Sequence, residues 1–385
     1  MFAQVREITL MNLRNLPSRL GSSSVIVVGI AGVVAVLVGL LAMGTGFAKA
    51  LQSTSQPDRA IIMQTGTTSE LNGNIQAADR AVISAMEGIA EASGELFVVA
   101  AIDKKGTDLT ANVVVRGVEP ASFTIRRELE IVDGRNFEPG RAEIVVGVRA
   151  AAQFVGLDVG EDLRVRDQVW SVVGHFAAAG TSIESEIWAD LANVQSAYRR
   201  GGTSNSLRVR LDSPAVAPAL NARLEDDPRF DLIVRTEQDH YAEQAESRTA
   251  LINGFGFAVG IIMAVGAVFA ALNTMYTAVS ARTVEIATLR ALGFGNLPVI
   301  ISVMIEALVL AALGGLIGSA LVWVAFDGYT ASTLNGFSQV GFDFAVTSEL
   351  LQMGLTWALV LGLVGGLFPA LRAARLPITS ALRGE

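Results

Sequence analysis

The sequence predicts a membrane α-helical fold with four transmembrane helices and a large extracytoplasmic α+β domain inserted between helices 1 and 2. Three observations predict it. The 385 residues are 51% apolar and only 17% charged, and the apolar residues gather in long runs. A hydrocarbon core of about 30 Å takes about 20 helical residues to cross, and the runs are long enough. Residues 49–248 differ in kind, with charges at ordinary density and short alternating segments. The basic residues outside that stretch all fall on one set of connectors. So low a charged fraction also excludes a disordered or nucleic-acid-binding class.

In chain order, residues 1–20 place Phe2, Val5, Leu13, Leu16 and Leu20 on one side of a helical wheel, with Arg6, Glu7 and Arg14 largely elsewhere. This is the pattern of an amphipathic helix lying on the cytoplasmic membrane face. Residues 21–48 carry no charge over 28 positions and form transmembrane helix 1. Ala48-Lys49-Ala50 has the small-x-small form of a signal cleavage site. The apolar run is nevertheless about twice the usual ~7–15 residues of a signal core, which favours a retained helix.

Residues 49–248 read as the α+β domain. Alternation marks strands over 60–64, 96–102, 111–118, 143–148, 163–170 and 207–211, and helices fit 77–92 and 214–224. Turn-rich stretches at 119–124 and 201–205 suggest two lobes, 58–118 with 205–240 and 119–200. Residues 249–281 are uncharged over 33 positions. At about 1.5 Å per residue that is about 50 Å of helix, so transmembrane helix 2 tilts strongly or rises beyond the lipid as a stalk. A short charged connector, 282–296, follows. Transmembrane helices 3 and 4 occupy 297–326 and 350–371, with the extracytoplasmic loop 327–349 between them and a cytoplasmic tail, 372–385, at the end.

Four spans put both termini on one side, and the basic residues say which. Of the 29 Lys and Arg, only Arg6, Arg14, Arg19, Arg282, Arg290, Arg372, Arg375 and Arg383 lie outside 49–248. All eight sit in the N-terminal segment, the 282–296 connector and the tail, whereas 327–349 holds Asp327, Asp343 and Glu349 and no Lys or Arg. The positive-inside rule then places the termini and the connector in the cytoplasm and residues 49–248 outside.

Catalytic signatures are missing. A Walker A loop needs a Gly-Lys pair to cradle phosphates, yet the lysines are Lys49, Lys104 and Lys105 and none follows a glycine. No cofactor is therefore expected in this chain, and any ATP and Mg belong to another polypeptide. Cysteine is absent, which removes disulfides, Fe–S clusters and Cys zinc sites. His175 and His240 stand 65 residues apart without patterned carboxylates, so packing or surface roles are expected for them, not metal binding. No Gly-x-Ser-x-Gly or His-Glu-x-x-His occurs.

The stretch 281–315, ARTVEIATLRALGFGNLPVIISVMIEALVLAALGG, carries the most information. Its first part is a short helix pattern ending at Gly293, a residue suited to a left-handed cap. The order Arg282, Glu285-Ile286, Leu289-Arg290-Ala291-Leu292-Gly293, then Glu306-Ala307 and Gly314-Gly315, resembles the permease subunits of MacB/FtsX/LolC-like ABC transporters. The closing segment PALRAARLPITSALRGE, residues 369–385, is similar to the same family's C-terminal signature. The resemblance implies a standalone permease of the cell inner membrane, with the inserted domain in the periplasm. It implies a separate cytoplasmic ATPase as partner, a second permease copy, and a periplasmic adaptor or lipoprotein as a further partner. Arg282, Glu285, Ile286, Leu289, Arg290, Leu292 and Gly293 would form the helix that docks into the ATPase. Without the resemblance, the arginines could equally obey the inside rule, with Glu285 pairing locally.

Glu306 lies about nine residues into its span, roughly 14 Å from the cytoplasmic start at ~1.5 Å per residue. Intramembrane acids are costly and face protein or water. The other spans offer no relay partners, so a structural hydrogen bond or a pair with Arg282 or Arg290 is expected. Small residues recur at Ala31, Ala35 and Gly39, at Gly260 and Ala264, and at Gly314, Gly315, Gly318, Gly362, Gly365 and Gly366. Such faces suit close helix packing, within the chain or between two copies. Few polar residues lie in the spans, which argues against a hydrophilic channel. The function expected is mechanotransmission for export or extraction of a substrate. Release of a lipoprotein, control of a cell-wall hydrolase, or a non-transport scaffold or sensor are the alternatives.

Overall fold

The structure, a computed structural model, describes residues 5–7, 9, 11, 20–67, 69–335 and 338–375. Most of the amphipathic helix expected over 1–20 and most of the tail expected over 372–385 lie outside the described residues. In chain order the elements are α1 (Leu20–Gln52), β1 (Arg59–Gln64), β2 (Ile75–Gln76), α2 (Ala77–Ser84), β3 (Ile89–Asp103), β4 (Thr110–Val118), α3 (Ala121–Ile125), β5 (Glu130–Gly134), β6 (Glu143–Gly147), α4 (Val148–Gln153), β7 (Asp162–Val165) and β8 (Gln168–Ala177). There follow β9 (Glu186–Asp190), α5 (Leu191–Ala197), β10 (Thr203–Ser204), β11 (Ser206–Leu211), α6 (Val216–Glu225), β12 (Leu232–Thr236), α7 (Glu237–Ala281), α8 (Thr283–Ala291), α9 (Asn296–Phe326), β13 (Thr330–Asn335), β14 (Ser338–Asp343) and α10 (Ser348–Ala374). They divide into two compact units. A helical unit takes Met1–Gly46, Thr249–Tyr329 and Phe344–Glu385, and the inserted domain takes Phe47–Arg248 with Thr330–Asp343.

The helical unit is built from α1, α7, α9 and α10, each long and apolar enough to cross a membrane. Lipid tails are as apolar as Leu, so close backbone approach through small residues holds such helices together. A Cβ placed on Gly362 would stand 2.4 Å from Ala311 Cβ, one on Gly366 2.6 Å from Ala307 Cβ, and one on Gly318 2.5 Å from the Ala31 carbonyl oxygen. The small-residue faces of α9 and α10 are thus occupied within the chain, as is Gly260, whose Cβ would meet Leu37 Cδ1 at 2.9 Å. α7 is the least enclosed, with 28% of its apolar window buried against 50% for α1, and it leaves Phe255, Ile262 and Phe269 exposed.

The domain is organised on one sheet, ordered β12-β1-β11-β3-β4-β9-β6-β8-β5 with β7 on β8. β3 makes it continuous. Its first half pairs antiparallel with β11, from Arg210↔Glu91 to Ser206↔Glu95, and its second half with β4, from Glu95↔Val118 to Asp103↔Thr110. The two expected lobes share this one sheet, and the boundary at 118 falls at the end of a strand paired on both sides: β4 also runs parallel to β9. Division survives in the packing. Ile62, Leu207 and Val209 close on Leu220 and Leu224 of α6, while Val98, Val113 and Val115 share a core with Ile144, Phe154 and Ile187.

Four readings of the sequence need correction. The helix expected over 77–92 stops at Ser84, because Gly88 turns the chain at φ +97° and residues from Ile89 join β3. The strand expected over 163–170 is a hairpin of β7 and β8, paired Val165↔Gln168, with Arg166 at φ 55°. The loop 327–349 contains the hairpin β13–β14. Most consequentially, the second long helix starts at Glu237 and runs 45 residues, about 67 Å at about 1.5 Å per residue. Its first turns bury Glu237, His240, Tyr241 and Ala245, a helical i, i+3, i+4, i+8 face made of residues too polar to register as an apolar run.

Candidate functional site

The connector between α7 and α9 is built around one arginine. α7 ends at Ala281, and Arg282, at φ −108° and ψ 13°, interrupts the helix before α8 resumes at Thr283. The break turns Arg282 inward. Its Nη1 donates to Glu306 Oε2 at 2.9 Å and its Nη2 to Glu306 Oε1 at 2.7 Å, with both residues buried. A bidentate guanidinium–carboxylate contact is the strongest geometry available to such a pair. In an apolar setting each charge also depends on the other, since the desolvation cost is offset only by mutual contact. Glu306 therefore pairs with Arg282, and Arg290 sits on the last turn of α8 instead. Among the described residues Arg282 Nε has no hydrogen-bond partner, so the fork carries the contact.

α8 ends as the sequence suggests. Gly293 adopts φ +96°, and the Phe294 N–H donates to Leu289 O at 3.1 Å. The residues expected to form the docking helix do not all face outward. Ile286 and Ala287 are buried and Leu289 is half-buried, whereas Val284, Glu285, Thr288 and Leu292 are exposed. Leu289 and Ile286 line a cleft with Val299 and Val303 of α9. Nine residues are too few for periodicity to say which side points outward, and the anchoring of Arg282 decides it. The outward strip is Val284, Thr288 and Leu292, spaced i, i+4, i+8, with Glu285 beside it.

A second concentration of charge, which sequence reading missed, lies inside the domain. Arg116 donates to Glu186 through Nε and Nη2 at 2.7 Å each, and its Nη1 reaches Glu95 at 2.7 Å and Glu70 at 2.9 Å. Arg126 grips Glu95 at 2.6 and 3.0 Å, and Arg208 joins Glu70, Glu95 and Glu237. Burial pushes the Glu70 carboxyl up, but the Arg116 and Arg208 guanidiniums outweigh it and bring it down to about 2. Glu95, equally buried, is held well below the usual carboxylate range by Arg126, Arg208 and Arg116. Burial lowers the His240 pKa and raises that of Tyr241. His240 stacks edge-on to Tyr241 and hydrogen-bonds Gln244 at 2.7 Å, and His175 bonds the Leu157 carbonyl at 2.7 Å. Among the described residues no group of His, Cys, Asp and Glu is arranged to hold a metal. The signal for the network was faint, since alternating Arg and Glu on strands ordinarily marks a solvated face.

An α+β domain inserted after the first of four spans, with a short charged helix between the second and third, defines a polytopic membrane protein of the transporter-permease class. Comparison with known proteins narrows this. Residues 23–227 match the MacB-like periplasmic core domain and residues 257–378 the FtsX-like permease C-terminal region. The chain belongs to the MacB/FtsX family of ABC transporter permeases. It is 23% identical to the macrolide export ATP-binding/permease protein MacB of Bdellovibrio bacteriovorus, over 94% of this chain and 59% of that protein. It is 24% identical to the uncharacterized ABC transporter permease YknZ of Bacillus subtilis, over 94% of this chain and 93% of that one. The crystal structure of the periplasmic region of MacB from Actinobacillus actinomycetemcomitans aligns with 50% of this chain and 94% of its own, at 13% identity and a TM-score of 0.39. The chain spans about three fifths of the length of the MacB relatives it matches.

Proposed function

We propose that this chain transmits mechanical work: ATP hydrolysis by a cytoplasmic ABC ATPase moves α8, and α7 carries the displacement to the inserted domain on the far side of the membrane. The single observation behind this reading is the build of the connector. α8 shows Val284 and Leu292, with Thr288 between them, to the outside while Arg282, at its base, is clamped to Glu306 of α9. An amphipathic helix with one face locked and the other open is suited to docking in a groove of another protein. Because α7 runs 45 residues without interruption, a push at its end is not dissipated in a loop. The strip face, and not Ile286, is the ATPase contact in this reading. Both termini and α8 lie in the cytoplasm of a bacterial inner membrane, residues 49–248 lie in the periplasm, and two permease copies work together. The names of the MacB relatives make export the first activity to test.

The test is copurification of the chain with an ABC ATPase from its native membranes. Leu292→Asp with Val284→Asp is expected to abolish capture of the ATPase while leaving the permease folded. Retention of the ATPase by that variant would remove α8 as the docking helix.

A further inference from the structure

The chain enters the inserted domain after α1 and leaves it along α7, and one carboxylate holds both passages. Glu237, the first residue of α7, is fully buried. Its Oε2 accepts the backbone N–H of Gln56, on the entering segment, at 3.1 Å and lies 3.0 Å from Arg59 Nε of β1. That Nε contact is electrostatic, as the N–H does not point at the oxygen in hydrogen-bond geometry. Oε1 pairs with Arg208 of β11. From Arg208 the ionic contacts continue across the strands, to Glu95 of β3 at 3.3 Å, from Glu95 to Arg116 of β4 at 2.7 Å, and from Arg116 to Glu186 of β9 at 2.7 Å. Glu237 also sits where the positive end of the helix dipole favours a carboxylate.

A core needed only for stability is served as well by apolar residues, because buried ion pairs replaced by well-packed hydrophobic groups often lose nothing. What an ionic chain adds is fixed direction: each fork accepts its partner in one orientation, so the elements it joins cannot slide or tilt independently. Resting on the mechanical reading above, we infer that Glu237, Arg59 and Arg208 are positioning residues that weld the first turns of α7 to the sheet, so that a displacement of the helix reaches β9 without loss. The joint acts through geometry, and no proton or ligand takes part.

The experiment uses the full chain in lipid nanodiscs with the ATPase that copurifies with it. The chain has no cysteine, so spin labels enter cleanly at Ser247→Cys and Asp133→Cys, to report the joint, and at Leu321→Cys with Asp133→Cys, to report movement of the domain. The expected result is a narrow 247–133 distance that ATP does not change, beside a 321–133 distance that ATP shifts. In Glu237→Gln the 247–133 distribution broadens and the ATP-driven shift of 321–133 is lost, while ATP turnover and ATPase capture persist. A merely stabilising Glu237 would lower the unfolding temperature and leave the shift intact, which overturns the inference. No capture and no ATP-driven shift in the unmodified chain overturns the mechanical reading itself. Hydrogen exchange on the unmodified chain decides the matter even if the variant does not fold. Amides of 241–244, the first turn with intrahelical acceptors, should be as protected as those of β11, and exchange more than about tenfold faster would sink the joint.

Discussion

Glu306 is a carboxylate inside a span, and its behaviour follows from its pairing with Arg282. Arg282 is the ionic partner of Glu306 among the described residues, and Glu306→Gln leaves a buried guanidinium without that counter-charge, at a cost of about 3–5 kcal/mol. Thermal unfolding in detergent should show that loss, and the double change Glu306→Leu with Arg282→Met should recover most of it. Recovery of stability without recovery of ATPase capture would mean that the pair positions α8 as well as satisfying a charge. Glu70 makes a prediction in pH. Its folded-state value of about 2 lies below the ordinary 4.5, so the unfolded chain takes up the proton first. The stabilisation is full above about pH 4.5 and is lost as pH falls toward about 2, with a slope that follows the proton difference between the two states. Glu70→Gln should flatten the acid limb of an unfolding-temperature profile while lowering its plateau. An unchanged limb would show that the Arg116 and Arg208 contacts do not hold this carboxylate ionised.

Helices and strands set which of these contacts form, and here sequence and structure agree unevenly. The apolar spans were legible because a run of 28 or 33 uncharged residues has one plausible solvent. The cap at Gly293 was legible because glycine alone takes φ +96° without strain. The start of α7 was not, although Thr236 and Asp239 form a reciprocal cap there: the Asp239 N–H donates to Thr236 Oγ1 at 3.1 Å and the Thr236 hydroxyl to Asp239 Oδ2 at 2.6 Å. That Thr-x-x-Asp spacing is a helix-start signal, hidden because the eye follows hydrophobicity. Thr236→Ala should cost about 1 kcal/mol and fray the first turn of α7, visible as faster hydrogen exchange at 237–240. The outward face of α8 was illegible for a different reason, since it depends on a break at Arg282 whose direction is set by Glu306, 24 residues away. The two faces can be told apart. Ile286→Ala should destabilise the fold by about 2–5 kcal/mol, as buried truncations do, whereas Leu292→Ala should leave stability unchanged and weaken only ATPase capture.

At the scale of the whole chain, the arrangement of connectors constrains how it threads a membrane, independently of the arginines. The hairpin β13–β14 lies between α9 and α10 in sequence but belongs to the same unit as residues 47–248. Arg149 Nη2 donates to Asp343 Oδ2 at 2.8 Å, the Gly341 N–H donates to Ser185 Oγ at 2.9 Å, and Phe342 packs edge-on against Phe47 with ring centroids 5.6 Å apart. The loop after the third span must therefore share a compartment with the domain after the first. That requirement is met if both α7 and α9 cross, and it fails if only one of them does. The arginine pattern and this folding contact are unrelated in cause, and the proposed placement of α8 on the side opposite the domain is compatible with both. Single cysteines at positions 167, 330 and 290 test it in intact cells. An impermeant maleimide should label Asp167→Cys and Thr330→Cys together, and Arg290→Cys only after the membrane is opened. Labelling of 167 without 330 would break the shared-compartment argument. Labelling of 290 with 167 protected would invert the whole arrangement, and with it the direction proposed for force along α7.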